Sequence, residues 1–348
     1  MTRSSLARNI PKVVGVSLVG LFVAALPAPC PAETRCRYAI AATLPISAFV
    51  PQAVVEGTVN GTPTRMLLDT GAVRTLFTRA QVEKMGLPLR HSSRTAMGVG
   101  GESNQYLTRI DEMSIGSIHG NRLTPGVIWD LKGNTPFGVV VGADFLFQSD
   151  LEIALAARQL RFLRPSGCED AFVAYWDSNA SVVDLNIPPA PDRRPLFTVE
   201  VNGQKMRAII DSGAYRSVID LAAAKRAGLT PESREVVPSR AIMGVGRHES
   251  ASWVAPFDSF AIGNEIIKNV RIAIADLWAA ALADSNNIRT AEFLNEQPEM
   301  LLGADFLRAH RVLFALGQRR LYFSYVGGNV FEVEPDVTQS VEPAKTAK

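Results

Sequence analysis

Histidine is scarce in this chain. The four present, His91, His119, His248 and His310, stand singly, and none has a partner at metal-ligand spacing. Each reads as a solvated or locally hydrogen-bonded ring, so neither a metal nor another cofactor is expected. A charge excess is also missing. With 36 Lys+Arg against 34 Asp+Glu the formal charge is +2, too balanced for a polyanion partner. Aromatic residues are not gathered in any basic stretch, so nucleic-acid bases find no stacking platform and nucleic acid is not expected as a partner. Cysteine is limited to Cys30, Cys36 and Cys168, and no motif pairs one with a histidine for nucleophilic catalysis.

The apolar stretch over residues 13–26 is 14 residues long, short for a bilayer span and right for the core of an export signal. Arg3, Arg8 and Lys12 precede it without an acid, and Cys30-Pro31-Ala32 offers a small-x-small cleavage site. The expectation is a signal peptide over 1–32 and an exported protein, periplasmic or secreted, with no membrane attachment after cleavage. The alternatives are an uncleaved anchor and, less favourably because of Pro29, a lipoprotein cut at Cys30. Cleavage removes three basic residues and no acid, taking the charge from +2 to −1. It also leaves Cys36 and Cys168, an even pair in an oxidising compartment, as either a disulfide or two buried thiols.

The remainder, 47% hydrophobic over the whole chain, is long enough for two domains, and it repeats itself. Residues 59–72 (VNGTPTRMLLDTGA) match 201–214 (VNGQKMRAIIDSGA) at an offset of 142, continuing through Lys84-Met85-Gly86-Leu87 against Arg226-Ala227-Gly228-Leu229. Residues 93–100 (SRTAMGVG) match 239–246 (SRAIMGVG) at an offset of 146, and 140–146 (VVGADFL) match 301–307 (LLGADFL) at an offset of 161. Three blocks in the same order mark a duplicated domain, with insertions in the second copy mainly over 279–299.

Each copy reads as mostly strand. β-Prone runs flank Asn60-Gly61 and Asn202-Gly203, a hairpin signal. Short helices are predicted over 78–85 and 221–227, stopped by Gly86 and Gly228, and again near Asp144 and Asp305. Two strands close each copy, 151–155 with 159–162 and 312–316 with 320–323. The expected layout is signal 1–32, first lobe 33–165, a proline-rich linker 166–194, second lobe 195–333 and a disordered tail 334–348.

A lone carboxylate at the end of a matching strand in each copy, Asp69 and Asp211, is what two groups need to share one proton. Like charges about 3 Å apart cannot both ionise cheaply, so the pair keeps a single proton near working pH. The ionised member takes a proton from water while the protonated one donates to a carbonyl, which is hydrolysis without metal or covalent intermediate. Gly71 and Gly213 suit a tight turn where backbone meets the partner lobe. The Thr70 and Ser212 hydroxyls are placed to bond across the pair and hold it flat.

With its two D-[ST]-G-A blocks, each followed by M-G-x-G and then an apolar-apolar-Gly block, the chain resembles the aspartic proteases of the pepsin and retropepsin type. Each half looks like a retroviral protomer. The resemblance covers about 50–165 and 195–330 and implies an all-β fold of two closed, barrel-like lobes with short helices and the active site in the cleft between them. It implies an endopeptidase with Asp69 and Asp211 as catalytic pair, supported by Thr70, Gly71, Ser212 and Gly213. It further implies substrate-covering flaps at Met97, Gly98, Val99 and Gly100, to Gly101, and at Met243, Gly244, Val245 and Gly246, and backing strands at Val141-Gly142 and Leu302-Gly303. The partner implied is a peptide or protein substrate, and with both halves in one chain a monomer is expected.

Neither flap segment carries the aromatic residue usual in pepsins. Ala72 and Ala214 stand where pepsins carry Thr or Ser, whose hydroxyl lowers the carboxylate pKa. The expectation is a pH optimum less acidic than pepsin's, contradicted by a rate peak below about pH 3. Asp144 and Asp305 read as helix-start caps rather than a second pair, Arg74 and Arg216 as structural partners of those aspartates or as substrate contacts, the structural role being favoured, and Trp129 and Trp278 as packing. The competing functional readings are a pepsin-like peptide-binding module that cleaves little, and a zymogen with 33–49 as pro-segment.

Overall fold

The computed structural model describes residues 36–47, 52–129, 135–284, 292 and 296–331. The chain divides into Met1–Arg35, outside the described residues together with the expected signal, and Cys36–Lys348. The expected tail also falls outside them. Among the described residues no helix is long and apolar enough to cross a membrane.

The fold is all-β with a few short helices, laid out in three sheets. Nine strands of the first half form one sheet and seven of the second half another. In each half the first hairpin turns at Asn-Gly: Val54–Val59 pairs with Thr62–Leu68, and Phe197–Val201 with Gln204–Ile210. Asn60 and Gly61 sit at φ 47° and 75°, Asn202 and Gly203 at 48° and 75°, the left-handed geometry that a two-residue turn between twisted strands demands. Alternation buries Thr64, Met66 and Leu68, and their counterparts Met206, Ala208 and Ile210.

Both predicted helices after the aspartate blocks form, Arg79–Lys84 capped by the Thr78 hydroxyl on the Gln81 amide, and Leu221–Arg226 capped by Asp220 on Ala222. The later pair, Ala143–Leu146 and Ala304–Ala309, begins from Gly142 and Gly303. Asp144 and Asp305 are thus the second residue of each helix and not its N-cap, although Asp305 Oδ1 accepts from the helix-start amide of Phe306 at 2.8 Å as expected. Their carboxylates also reach back. Asp144 accepts from the Thr75 amide and hydroxyl, both at 2.8 Å, and Asp305 from the Ser217 amide and hydroxyl at 2.8 and 2.7 Å. Each so pins the chain leaving an aspartate block to the block behind it.

The third sheet belongs to both halves. Its strand order is Arg37–Pro45, Gln159–Ser166, Asp150–Ala154, His310–Ala315, Arg320–Tyr325, Ser181–Asp184. At its centre the closing strands of the two copies pair directly, Leu151 opposite Phe314 and Ile153 opposite Val312. Both predicted closing pairs thus form, but as one continuous six-stranded sheet. Glu152 is buried at this seam, holding Arg161 and Arg311 at 2.9 Å and accepting from Tyr175 Oη at 2.5 Å.

Segment 166–194 is packed rather than a free connector. Cys168, Val173, Ala174, Ala180 and Leu185 are buried, and Ser181–Asp184 adds the last strand of the shared sheet. At the opposite edge Arg37–Pro45 pairs with Gln159–Ser166, and Cys36 and Cys168 form a disulfide across a sequence separation of 132. The stretch read as a pro-segment is thus an integral strand, and the disulfide would tether it even after a cut.

Candidate active site

Asp69 and Asp211 follow the two hairpins by one residue, and each is fixed from behind. Thr62–Leu68 runs parallel to Val139–Val141, and the Asp69 amide donates to Val141 O at 2.9 Å. Gln204–Ile210 runs parallel to Met300–Leu302, with the Asp211 amide on Leu302 O at 2.8 Å. Ala143 and Ala304 then donate to Ala72 O and Ala214 O, closing each loop. Gly142 and Gly303 are required there, since a Cβ on either would fall 2.5 Å from the carbonyl carbon of Arg74 or Arg216.

The loops meet face to face. The buried Thr70 hydroxyl donates to Ile210 O at 2.6 Å and the Ser212 hydroxyl to Leu68 O at 2.6 Å. Each hydroxyl also accepts the opposite residue's amide, Ser212 N at 3.0 Å and Thr70 N at 3.1 Å. A hydroxyl has one proton, so once both are spent on carbonyls the 3.3 Å separation of the two oxygens is a contact and not a further bond. The sequence reading put these hydroxyls on the carboxylates. They lock the two backbones instead, and the carboxylates are positioned through that lock.

A Cβ on Gly71 would lie 2.4 Å from Asp211 Cγ, and one on Gly213 2.4 Å from Asp69 Cγ. Only glycine lets each loop come that near the opposite acid. Asp69 Oδ1 accepts from the Gly71 and Ala72 amides at 2.9 and 3.0 Å, and Asp211 Oδ1 from Gly213 and Ala214 at 3.1 and 3.0 Å. The two carboxyls lie close enough that each shifts the other's titration. Burial among protein walls raises both pKa values, and the neighbouring Asp211 charge raises Asp69 further. The amides pull the other way on both. The methyl groups of Ala72 and Ala214 supply no additional donor.

The pair is not symmetric. Arg194, buried, is held by Asp192 at 2.6 Å and Gln297 at 2.7 Å and reaches Gly71 O at 3.3 Å from across the lobes. Its charge lowers the pKa of Asp211. The equivalent position in the first copy is the neutral Gln52, which also lines the cavity. Sequence reasoning missed Arg194, Asp192 and Gln297 because they lie in the linker and the insertion, where the copies do not match.

A cavity of about 960 Å³ opens above the carboxylates. Met97, Gly98 and Val99 line it from one side, Met243, Gly244 and Val245 from the other. The first segment is a tight hairpin, Arg90–Gly98 against Gly101–Leu107, turning at Val99-Gly100. The second is a wider loop, since Val237–Ile242 and Ser250–Ile262 last pair at Ile242 and Ser250. The tips touch: Gly100 N donates to Val245 O and His248 N to Gly100 O, both at 2.9 Å. Gly246, at φ 118°, would put a Cβ 2.1 Å from Gly100 C. Of the remaining expectations, Arg216 is structural through Ser239, Ser252 and Arg240 O, all at 2.8 Å. Trp129 packs on Tyr106 and under Arg79. Trp278 is half-buried and lines the cavity, held by Pro298 O, so its packing is at the cleft wall.

No curated protein sequence matches the chain. Among solved structures it is similar to the aspartic proteinase from Irpex lacteus, at 12% identity and a TM-score of 0.46, over 83% of this chain and 97% of that one. The family model described as "Aspartyl protease" matches residues 55–145 and 197–306, together more than half of the chain and one match per copy. The chain belongs to the aspartyl protease family.

Proposed function

We propose that the chain is an aspartic-type endopeptidase that binds an extended peptide across the cleft and hydrolyses it with Asp69 and Asp211. The observation that carries this reading is the pair of buried carboxyls, one from each half and each against the other half's glycine loop, with raised pKa values and a cavity above them. Asp211, favoured as the ionised member by Arg194, takes a proton from a water between the carboxyls. Asp69 donates its proton to the carbonyl oxygen of the scissile peptide. The water oxygen bonds to the carbonyl carbon, giving a tetrahedral diol. When that collapses, one diol hydroxyl returns its proton to Asp69 as the C=O bond re-forms, the C–N bond breaks, the nitrogen leaves with the proton held at Asp211, and the pair returns to its singly protonated state.

The glycine-rich tips at 97–101 and 243–246 act as covers, with backbone groups that pair with an extended substrate. Thr70 and Ser212 hold the geometry. Both halves being present, the working unit is a monomer, and the disulfide is in keeping with an exported protein. The test is incubation of the full chain with denatured protein across pH. Cleavage that is abolished by D69N and by pepstatin-like inhibitors is expected. Binding without cleavage at every pH would replace the enzyme with a peptide-binding module.

A further inference from the structure

The cleft is far more basic than the chain that makes it. Arg74, Arg94, Arg194, Arg216 and Arg240 line the cavity, and among the described residues the only acidic side chains lining it are Asp69 and Asp211, which share a proton. Overall the protein is almost neutral, so this excess is local. Two of the arginines are committed to the fold: Arg194 to Asp192 and Gln297, Arg216 to Ser239, Ser252 and Arg240 O. Arg74, Arg94 and Arg240 are exposed and make no ion pair with an acidic side chain among the described residues.

Their placement follows the duplication. Arg94 and Arg240 are counterparts at the 146 offset, each ahead of a cover tip, and Arg74 is the counterpart of Arg216 at 142, just past an aspartate block. Between them the walls are apolar, with the matched pair Leu76 and Val218, the matched pair Val99 and Val245, and Ile209 and Leu301. A chain lying across the carboxylates therefore meets apolar walls and guanidinium groups contributed by both halves.

Resting on the endopeptidase reading, we propose that the substrate is an acidic peptide: apolar side chains at the scissile bond, Asp or Glu a few residues away on both sides, engaged by Arg94 and Arg240, with Arg74 adding a third contact on its own half. An exposed arginine–carboxylate contact is worth a modest amount and is screened by salt. Several in one concave site also concentrate anionic peptide before it docks.

Two experiments test this on the full chain. In the first, a mixed peptide library is digested and the cleavage sites are read by mass spectrometry. Enrichment of Asp and Glu on both flanks is the expected result, and cleavage at apolar sites with no acidic enrichment overturns the substrate class while leaving the protease intact. The second does not need turnover. The D69N variant is titrated with a fluorescein-labelled peptide carrying a central Leu-Phe flanked by two Glu on each side, and with its Gln counterpart. The acidic peptide should bind tighter by about fivefold or more, with the gap narrowing in high salt. R94Q and R240Q should each reduce the gap by about twofold. Equal binding of the two peptides, or a gap that both arginine substitutions leave untouched, overturns the proposal. Absence of library cleavage defeats the endopeptidase reading, and the binding comparison then decides the acidic preference alone.

Discussion

At the scale of the residue, the site is specified by what glycine lacks and what a hydroxyl can do. A Cβ on Gly71 has 2.4 Å to Asp211 Cγ, less than any real contact. G71A should therefore push the halves apart, removing activity and costing about 1–3 kcal/mol of stability, measured by denaturant unfolding. T70A leaves the buried Ile210 carbonyl and the Ser212 amide without their partner, and S212A does the same to Leu68 and Thr70. Each should cost about 1–3 kcal/mol, and because both act on one lock the double variant should cost less than the total of the two.

The carboxyl pair has a definite pH signature. Both folded-state pKa values are raised, mainly by burial. A raised carboxyl pKa gives stability that is complete below the ordinary aspartate value and is lost as pH rises through the folded one. The D69N protein should thus melt higher than the parent at neutral pH, with the difference shrinking as the medium is acidified towards the ordinary carboxylate range. Asp69, Asp211, Thr70, Ser212 and both glycines were legible in the sequence because they are duplicated in register. Arg194 was not, since its counterpart is Gln52 and no repeat points to it. Replacing Arg194 with Met should move the acid limb of the pH–rate profile upward, because Asp211 loses the charge that keeps it ionised.

At the scale of elements, hairpins and short helices were readable where local chemistry decides them. Asn-Gly turns, Thr78 and Asp220 caps and alternating apolar residues all act within a few residues. Whatever depends on distant pairing was not readable. The closing strands were recognised singly, but no local signal says that Asp150–Ala154 pairs with His310–Ala315. The proline-bearing segment 166–194 looked like a tether because prolines gather at its end, whereas Cys168, Val173, Ala174, Ala180 and Leu185 within it are buried. At that seam Glu152 carries one charge between two arginines and a tyrosine hydroxyl, away from water. E152A leaves both guanidiniums facing a void and should cost about 3 kcal/mol, seen as a lowered midpoint in denaturant.

At the scale of the whole molecule, the two halves are joined by a common sheet, by the Thr70–Ser212 lock and by touching cover tips. Heating the full chain should give one calorimetric transition rather than two. The Cys36–Cys168 bond closes a loop of 132 residues and is worth about 5 kcal/mol in the chain-entropy model. The C36S/C168S double variant should melt well below the parent while the single transition persists, since strand pairing at that edge remains.

What joins these scales is the proposal that two acids brought together by the duplication hold one proton in common. Carbon-13 NMR of labelled aspartate, followed through a pH titration, reads it directly. The Asp69 and Asp211 carboxyl signals should each move in the same two steps, one proton leaving well above the ordinary carboxylate range near pH 4, and each signal should respond when the other residue is replaced by Asn. Two signals that titrate in single steps near pH 4, each indifferent to the loss of the other, would contradict a shared proton and with it the hydrolytic site.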